Sequence, residues 1–287
     1  MELQDLPPGF GVEVLGLDLA SGLELGHGRR QIDELREVLD ARHLLAVRSL
    51  PISGEAQTAF VARFGRLVSE RRLWAYVSNS RDDGIIREGA LLFHSDFAFT
   101  KAPTTAISLH ALEVPIGGST TRFANAVKAV RVLPSDLHAR LQGHRVLNVY
   151  DFHLPNDRPM RAAEVDPRSP RAEHPVIAPH PRTGAPVVMA NEMHTDCILG
   201  ISRAQSDALL TDLFAVLYDD ANVYEHRWRI GDLVLWDNVA LHHGRRDIPT
   251  SEARTLRRVT LGDYTPAELV PNLSELLAAP AGVPPAQ

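Results

Sequence analysis

The chain has 287 residues, 44% of them hydrophobic and 23% charged, with a formal net charge of −6. That balance describes a globular protein with enough chain to bury a sizeable core, and it excludes a disordered or fibrous chain. A negative charge without a lysine- or arginine-rich run argues against a nucleic-acid partner, the pairs Arg71-Arg72, Arg245-Arg246 and Arg257-Arg258 being only local. No apolar stretch approaches the roughly 20 residues of a membrane helix, so no membrane partner is expected. The first residues, MELQDLPPGF, lack the basic and apolar regions of a secretory signal, and the single cysteine, Cys197, suits a reducing compartment. The cytoplasm is the expected location.

In chain order, apolar residues at Ile32, Leu35, Val38 and Leu39 recur at helical spacing and predict a helix over Gln31–Asp40. HLLAVRSL after it reads as a strand. Ser53-Gly54-Glu55 precedes AQTAFVARFGRL, in which Phe60, Val61 and Phe64 make an apolar face and Gly65 is the expected stop. From Leu91 onward short apolar runs alternate with turn residues: TAISLHALEVP, RVLNVYDF, HPVIAP, APVVMA and DLVLWDN. Many short strands of this kind predict an antiparallel sandwich or barrel, mainly β with flanking helices. One helix interrupts the series, over Arg203–Tyr218, with Ser202 as its cap. The proline-rich stretch Leu154–Pro175 reads as a long loop, the expected lid or binding element. The tail LAAPAGVPPAQ is expected to fray. No internal repeat or linker divides the chain. The expectation is therefore a single catalytic domain over 1–287: a double-stranded β-helix, or jelly roll, spanning about 91–265, preceded by a mixed helix and strand part over 1–90.

Chemistry concentrates in two short pieces, His94-Ser95-Asp96 and His242-His243-Gly244-Arg245. On a strand, residues i and i+2 share a face, so His94 and Asp96 are expected to aim a nitrogen and an oxygen at one point. A distant histidine completes a two-histidine, one-carboxylate set, which occupies one face of an octahedral iron and leaves three positions open. Alone, a His-x-Asp tripeptide carries little weight in a chain with 13 histidines and 36 acidic residues.

The surrounding motifs add to it. FVARFGRL, FHSDFAF, GGSTTRFANA, AEHPVIAPHPRTG, WRIGDLVLWDNVALHHGR and ARTLRRVTLGD, following GVEVLGLDLASGL near the start, run through most of the chain in order. Together they resemble the iron(II)- and 2-oxoglutarate-dependent dioxygenases of the taurine dioxygenase and 2,4-dichlorophenoxyacetate dioxygenase (TauD/TfdA) family. The resemblance implies His94 and Asp96 as the first two iron ligands. It implies His243 as the third, seven positions after Trp236 of the Trp-Asp-Asn motif, in preference to His242, which would alternate to the other face. Arg254, eleven positions past His243, takes the place of the arginine that grips the far carboxylate of 2-oxoglutarate, and Thr120 that of the threonine supporting it. Arg258 falls near the substrate or cosubstrate carboxylate. Two parallel guanidinium donors suit a carboxylate as a lysine does not, and inward arginines in an apolar strand are costly without anions.

By the same resemblance Trp74, Tyr76 and Asn79 are candidate pocket residues, against the plainer reading as core. His194, where the family more often has phenylalanine, is expected either to contact substrate or to face solvent. Val68-Ser69 does not reproduce the histidine that helps hold sulfonate in taurine dioxygenase. The implied cofactors are Fe(II), 2-oxoglutarate and O2, and the implied reaction is hydroxylation or desaturation of a small carboxylate, sulfonate or amino acid. Asp96 separates the chain from related halogenases, which carry glycine or alanine there. A zinc hydrolase is the competing enzyme class, because two histidines and an aspartate also bind zinc with an open position. A jelly-roll small-molecule binding protein without turnover is the non-enzyme alternative. A homo-oligomer is compatible with the sequence, which does not fix the oligomeric state.

Overall fold

The computed structural model describes residues 1–17, 27–68, 73–85, 89–247 and 251–278. Strands obey the period of two in its strictest form, because both faces of the main sheet are covered. In Thr255–Leu261, Leu256 points into the roll while Val259 and Leu261 pack outward against helices. In Leu233–Asp237, Val234 and Trp236 face inward and Leu233 and Leu235 outward. The helices His27–Arg42 and Gly54–Val61 cover the outward face with Ile32, Leu35, Leu39, Phe60 and Val61.

Among the described residues the main sheet has eight strands, in the order Glu2–Asp5, Val12–Leu15, Leu44–Val47, Leu233–Asp237, Ala106–Glu113, Thr255–Leu261, Ala75–Ser78 and Gly84–Ile85. Facing it is a four-stranded sheet ordered Val223–Arg227, Thr120–Asn125, Leu241–Arg245 and Leu91–His94. Phe123 and Tyr224 from the smaller sheet meet Leu109, Trp236 and Leu256 from the larger one between the layers. The result is a jelly roll. Strands of the N-terminal part join the same main sheet as the core strands, so the expected division near residue 90 does not separate two sheets.

Element bounds shift in understandable ways. The first helix runs His27–Arg42 and the second stops at Val61, before Gly65, with the Ser53 hydroxyl accepting from Ala56 N at 3.1 Å. The later helix, Arg203–Leu217, carries a capping box between Ser202 and Gln205. Two helices that the sequence reading omits, Ala126–Val132 and Ser135–Leu141, pack behind the smaller sheet; Asn125 Oδ1 caps the first through Val127 N and Lys128 N. The expected loop Leu154–Pro175 ends as a strand, Arg171–Pro175, paired with Arg145–Val149. The rest is tied down, with Met160 fully buried and the Asp151 carboxylate accepting from Asp166 N and the Ser169 hydroxyl. An open lid is therefore not what these residues form. The helix Leu273–Ala278 takes the first part of the expected tail, whose residues 279–287 lie outside the described ones, as does Ser69.

One turn sets the approach of the two sheets. Asp237, buried at the end of its strand, accepts from Val239 N and Ala240 N at 3.0 Å each, from His180 Nε2 at 3.1 Å and from Arg182 Nη2 at 2.6 Å. Burial acts to raise its carboxyl, but His180, Arg182 and the turn amides hold it below the usual range. Asp237→Ala removes these acceptors at once and is expected to cost about 3–5 kcal/mol, read as a fall in Tm of roughly 8 °C or more. A carboxyl depressed by folding stabilises above its unfolded value near pH 4 and loses that contribution as acid protonates it. The gap between wild type and Asp237→Ala should therefore close as the pH falls below 4, and a gap independent of pH would count against the ion-pair account.

Candidate active site

His94 and His243 sit directly opposite each other on adjacent antiparallel strands, Leu91–His94 and Leu241–Arg245, so their side chains leave the same face of the sheet. Their rings lie 4.2 Å apart between centroids. Asp96 is not on the strand with His94, as the two-residue spacing suggests. The strand ends at His94, and Asp96 lies in the turn that follows. The cause is Asn238. Its Oδ1 accepts from Asp96 N at 3.1 Å, and its Nδ2 donates to the carbonyls of Thr104 (2.8 Å) and Asp96 (3.2 Å) and to Ser95 Oγ (3.1 Å). Ser95 Oγ donates back to Asn238 O at 2.6 Å.

The outcome is convergence. Asp96 Oδ1 is 3.2 Å from His94 Nε2 and 3.8 Å from His243 Nε2, and one ligand atom from each residue lies within 4.8 Å of the others. His94 Nδ1 donates to Leu92 O at 2.8 Å, which leaves the Nε2 lone pair toward Asp96. Burial, then the neighbouring His94, keep His243 neutral, well below the ordinary histidine range. Burial acts to raise Asp96, yet the guanidinium of Arg258, with His94 and His243, holds the carboxyl far below its usual range. Two neutral imidazole nitrogens and a carboxylate are a donor set suited to a divalent iron.

His242 takes the other face. It is buried against Tyr218, whose hydroxyl lies 3.1 Å from His242 Nδ1, and burial pushes it down to about 3.

Two chambers meet at this cluster and share Leu91, His94, Asp96 and Arg258 in their walls. The inner one lies between the sheets, with Ile107, Leu109, Thr121, Trp236, Arg245 and Arg254 around it. Arg254 is 2% exposed; its Nε donates to Ser119 Oγ at 2.6 Å, while its Nη1 is buried without an acceptor among the described residues. Burial, then the charge of Arg245, push the Arg254 guanidinium down to about 9. A buried cation with an unmatched donor is costly, and an anion relieves both terms. The chamber thus fits the far carboxylate of a dicarboxylic acid.

The outer chamber is aromatic: Phe97, Phe99, Tyr150 and Phe152 line it, with Met193 and His194. His194 is buried rather than solvent-facing. Its ring stands edge-on to His94, Phe99 and Tyr150 at 5.6, 5.2 and 5.3 Å, and its Nδ1 has no partner among the described residues. Asn156, from the anchored loop, lines the same chamber and accepts from Tyr150 OH at 3.2 Å.

Several expected site residues lie elsewhere. Thr120 faces a separate surface hollow with Gly117, Glu225 and Arg227, opposite to the chamber. The register explains it: Phe123 is paired with His243, so Thr121, two residues earlier, shares the inward face and Thr120 does not. Thr121 is buried, and its Oγ1 accepts from Trp228 Nε1 at 2.9 Å. Trp74 and Tyr76 also miss the chambers. Trp74 packs on Gly54 and donates to Tyr76 OH at 3.1 Å, and Arg81 stacks over the Tyr76 ring; Val77, the intervening residue, is the one that faces inward. Asn79 supports the site indirectly, accepting from Arg254 N at 2.8 Å and donating to Glu252 O. Arg258 bonds through Nη2 to Asp96 Oδ2, so one of its nitrogens serves the carboxylate rather than a ligand.

The sequence assigned no site role to Asn238, Thr121, Trp236 or Arg245. Arg245 was accessible to it, being two residues past His243 on the same strand face.

A jelly roll with this cluster between an arginine-floored chamber and an aromatic one defines a class of metal-dependent oxygenase. The comparisons with known proteins agree. Residues 2–260 match the family model described as "Taurine catabolism dioxygenase TauD, TfdA family". The alpha-ketoglutarate-dependent 2,4-dichlorophenoxyacetate dioxygenase of Cupriavidus pinatubonensis JMP 134 is 31% identical, over 90% of this chain and 96% of its own length. Pentalenolactone F synthase of Streptomyces avermitilis is 27% identical over 93% and 96%. Among solved structures, that of AAD-2 in complex with Mn(II) and N-oxalylglycine superposes with a TM-score of 0.77 at 25% identity, covering 91% of this chain and 98% of the other. The chain belongs to the TauD/TfdA family and is an iron(II)- and 2-oxoglutarate-dependent dioxygenase. Among the described residues no helix is long and apolar enough to cross a membrane.

The register makes a direct forecast about the two threonines. Thr121→Val is expected to weaken 2-oxoglutarate binding by about ten- to a hundredfold, the scale of one lost hydrogen bond to a charged group. Thr120→Val should leave it within twofold. Titration of the anaerobic iron(II) protein decides between them, and the reverse ranking would return the role to Thr120.

Proposed function

We propose that His94, Asp96 and His243 hold the iron, that Arg254 with Thr121 receives the far carboxylate of 2-oxoglutarate in the inner chamber, and that a small anionic organic molecule is oxidised in the outer one. The observation that carries this reading is the convergence of three ligand atoms where the chambers meet, His94 and Asp96 in the wall common to both and His243 in that of the inner one. Bound iron and 2-oxoglutarate supply the activation of dioxygen, driven by oxidative decarboxylation of the cosubstrate to succinate and carbon dioxide.

The chain's own residues place and shield. Arg254 anchors one end of the cosubstrate, so that its 2-oxo acid end lies toward the histidines. Ile107, Leu109 and Trp236 line that chamber and exclude water from it. Asn238 holds the turn that carries Asp96. Phe97, Phe99, Tyr150 and Phe152 offer apolar faces to the part of the substrate that presents its C–H bond.

For the substrate, the reading is a carboxylate, sulfonate or amino acid that bears an apolar portion. Support comes from relatives named for 2,4-dichlorophenoxyacetate and for a sulfate ester, and from Arg258, which lines both chambers with only part of its guanidinium engaged by Asp96. Hydroxylation and desaturation both fit the retained carboxylate ligand. A zinc hydrolase has no use for a buried arginine across the chamber from the metal, and a binding protein without turnover has no use for a ligand set that leaves coordination positions open.

Anaerobic titration of the apoprotein with iron(II) and 2-oxoglutarate should develop the weak visible charge-transfer band of a chelated 2-oxo acid. His243→Ala should abolish the band, and His242→Ala should retain it. Metal binding without any band in the wild type would overturn the reading in favour of the hydrolase or the binding protein.

A further inference from the structure

Among the described residues, Arg254 Nη1 is not the only buried nitrogen beside the inner chamber that lacks an acceptor. Trp236 Nε1 is another. The indole is 1% exposed, lines the chamber, and has no acceptor for its N–H among the described residues. An indole N–H is a donor only, and when buried it normally finds a partner. The other two tryptophans obey that rule: Trp74 donates to Tyr76 OH at 3.1 Å and Trp228 to Thr121 Oγ1 at 2.9 Å. Trp236 is also rigidly held. Its ring meets Phe123 edge-on at 5.2 Å and is tilted on His243 at 5.0 Å, and its backbone sits in the centre of the main sheet between Leu44 and Ile107. A fixed, dry donor beside a ligand histidine and across from a buried arginine is placed to serve a bound anion, because hydrogen bonds to a carboxylate gain strength where water is excluded.

We infer that the Trp236 indole N–H is a further cosubstrate-binding donor, bonding a carboxylate oxygen of 2-oxoglutarate alongside Arg254 and Thr121. The inference rests on the inner chamber being the 2-oxoglutarate site, and it assigns Trp236 a polar role beyond its packing in the core. It also gives the Trp-Asp-Asn run three separate duties: Trp236 on the cosubstrate, Asp237 in the turn, Asn238 on Asp96.

The chain has three tryptophans, so a ¹H–¹⁵N spectrum of the labelled, zinc-loaded protein has three indole cross-peaks, and Trp236→Phe identifies one of them. On saturation with 2-oxoglutarate the Trp236 proton should move downfield by several tenths of a ppm, while that of Trp74, bonded to Tyr76, stays in place. In the same protein Trp236→Phe should raise the 2-oxoglutarate Kd by about tenfold, equal to about 1.4 kcal/mol, with zinc affinity unchanged within twofold. An unmoved Trp236 peak in wild type saturated with 2-oxoglutarate overturns the inference, and so does an unchanged Kd in the variant. Should Trp236→Phe not fold, Trp74→Phe and Trp228→Phe identify the remaining peak as that of Trp236, and the wild-type spectrum still decides the matter. Failure of 2-oxoglutarate to bind the wild-type holoprotein at all is a different result, one that removes the cosubstrate reading of the chamber itself.

Discussion

The site depends on one registration, that of His94 against His243 across two neighbouring strands. Slipping either strand by one residue would turn its histidine to the opposite face of the sheet, exchanging His243 for His242 and the metal cluster for the Tyr218 contact. Two features hold the register. Gly244 lies so close to the Leu91–His94 strand that a Cβ would stand 2.8 Å from Leu91 O, which confines that position to glycine as long as the strands stay paired. Asn238 then binds the turn after His94 through four hydrogen bonds to Ser95 and Asp96, bringing Asp96 back toward both imidazoles. Asn238 follows Asp237, itself fixed by the amides of the turn and by His180 and Arg182, so the carboxylate ligand is positioned from the main sheet and the histidines from the smaller one.

Charge is arranged around that point with a clear polarity. On the inner side lie buried guanidiniums, both held down in basicity by burial and Arg254 also by the charge of Arg245. At the centre is a carboxylate strongly favoured in its ionised form, and on the outer side are aromatic rings with neutral His194. A cation at the cluster and an anion deeper in the roll would each answer an electrostatic demand that the protein leaves open. Binding of the two is therefore expected to be mutually reinforcing. Burial of Arg254 is costly to the fold and useful to the site, because a pre-desolvated guanidinium does not lose hydration when its ligand arrives.

Much of this was legible in the sequence, and what was not has definite physical reasons. Strand alternation from Leu91 onward and the helix at Arg203 carried the jelly roll; the run from Trp236 to His243, with Arg254 and Arg258 beyond it, carried the family. The helices over Ala126–Leu141 escaped because they are short, rich in the β-branched residues Val127, Val130 and Val132, and interrupted at Pro134. Thr120 came from the resemblance to the family's motif, whereas the inward residue follows from counting back from Phe123, whose partner across the sheet the sequence does not reveal. Trp74 and Tyr76 belong to the alternate face of a strand whose inward residue is Val77. Asn238 and Trp236 act through partners over a hundred residues distant or through a ligand, and no local pattern announces either role.

The most direct measurement of the central claim is a crystal structure of the anaerobic protein with Mn(II) and N-oxalylglycine. The account requires the metal within coordination distance of His94 Nε2, an Asp96 carboxylate oxygen and His243 Nε2, with the far carboxylate of the inhibitor on Arg254. A metal bound by His242, or an inhibitor seated in the aromatic chamber with Arg254 left unmatched, would contradict it.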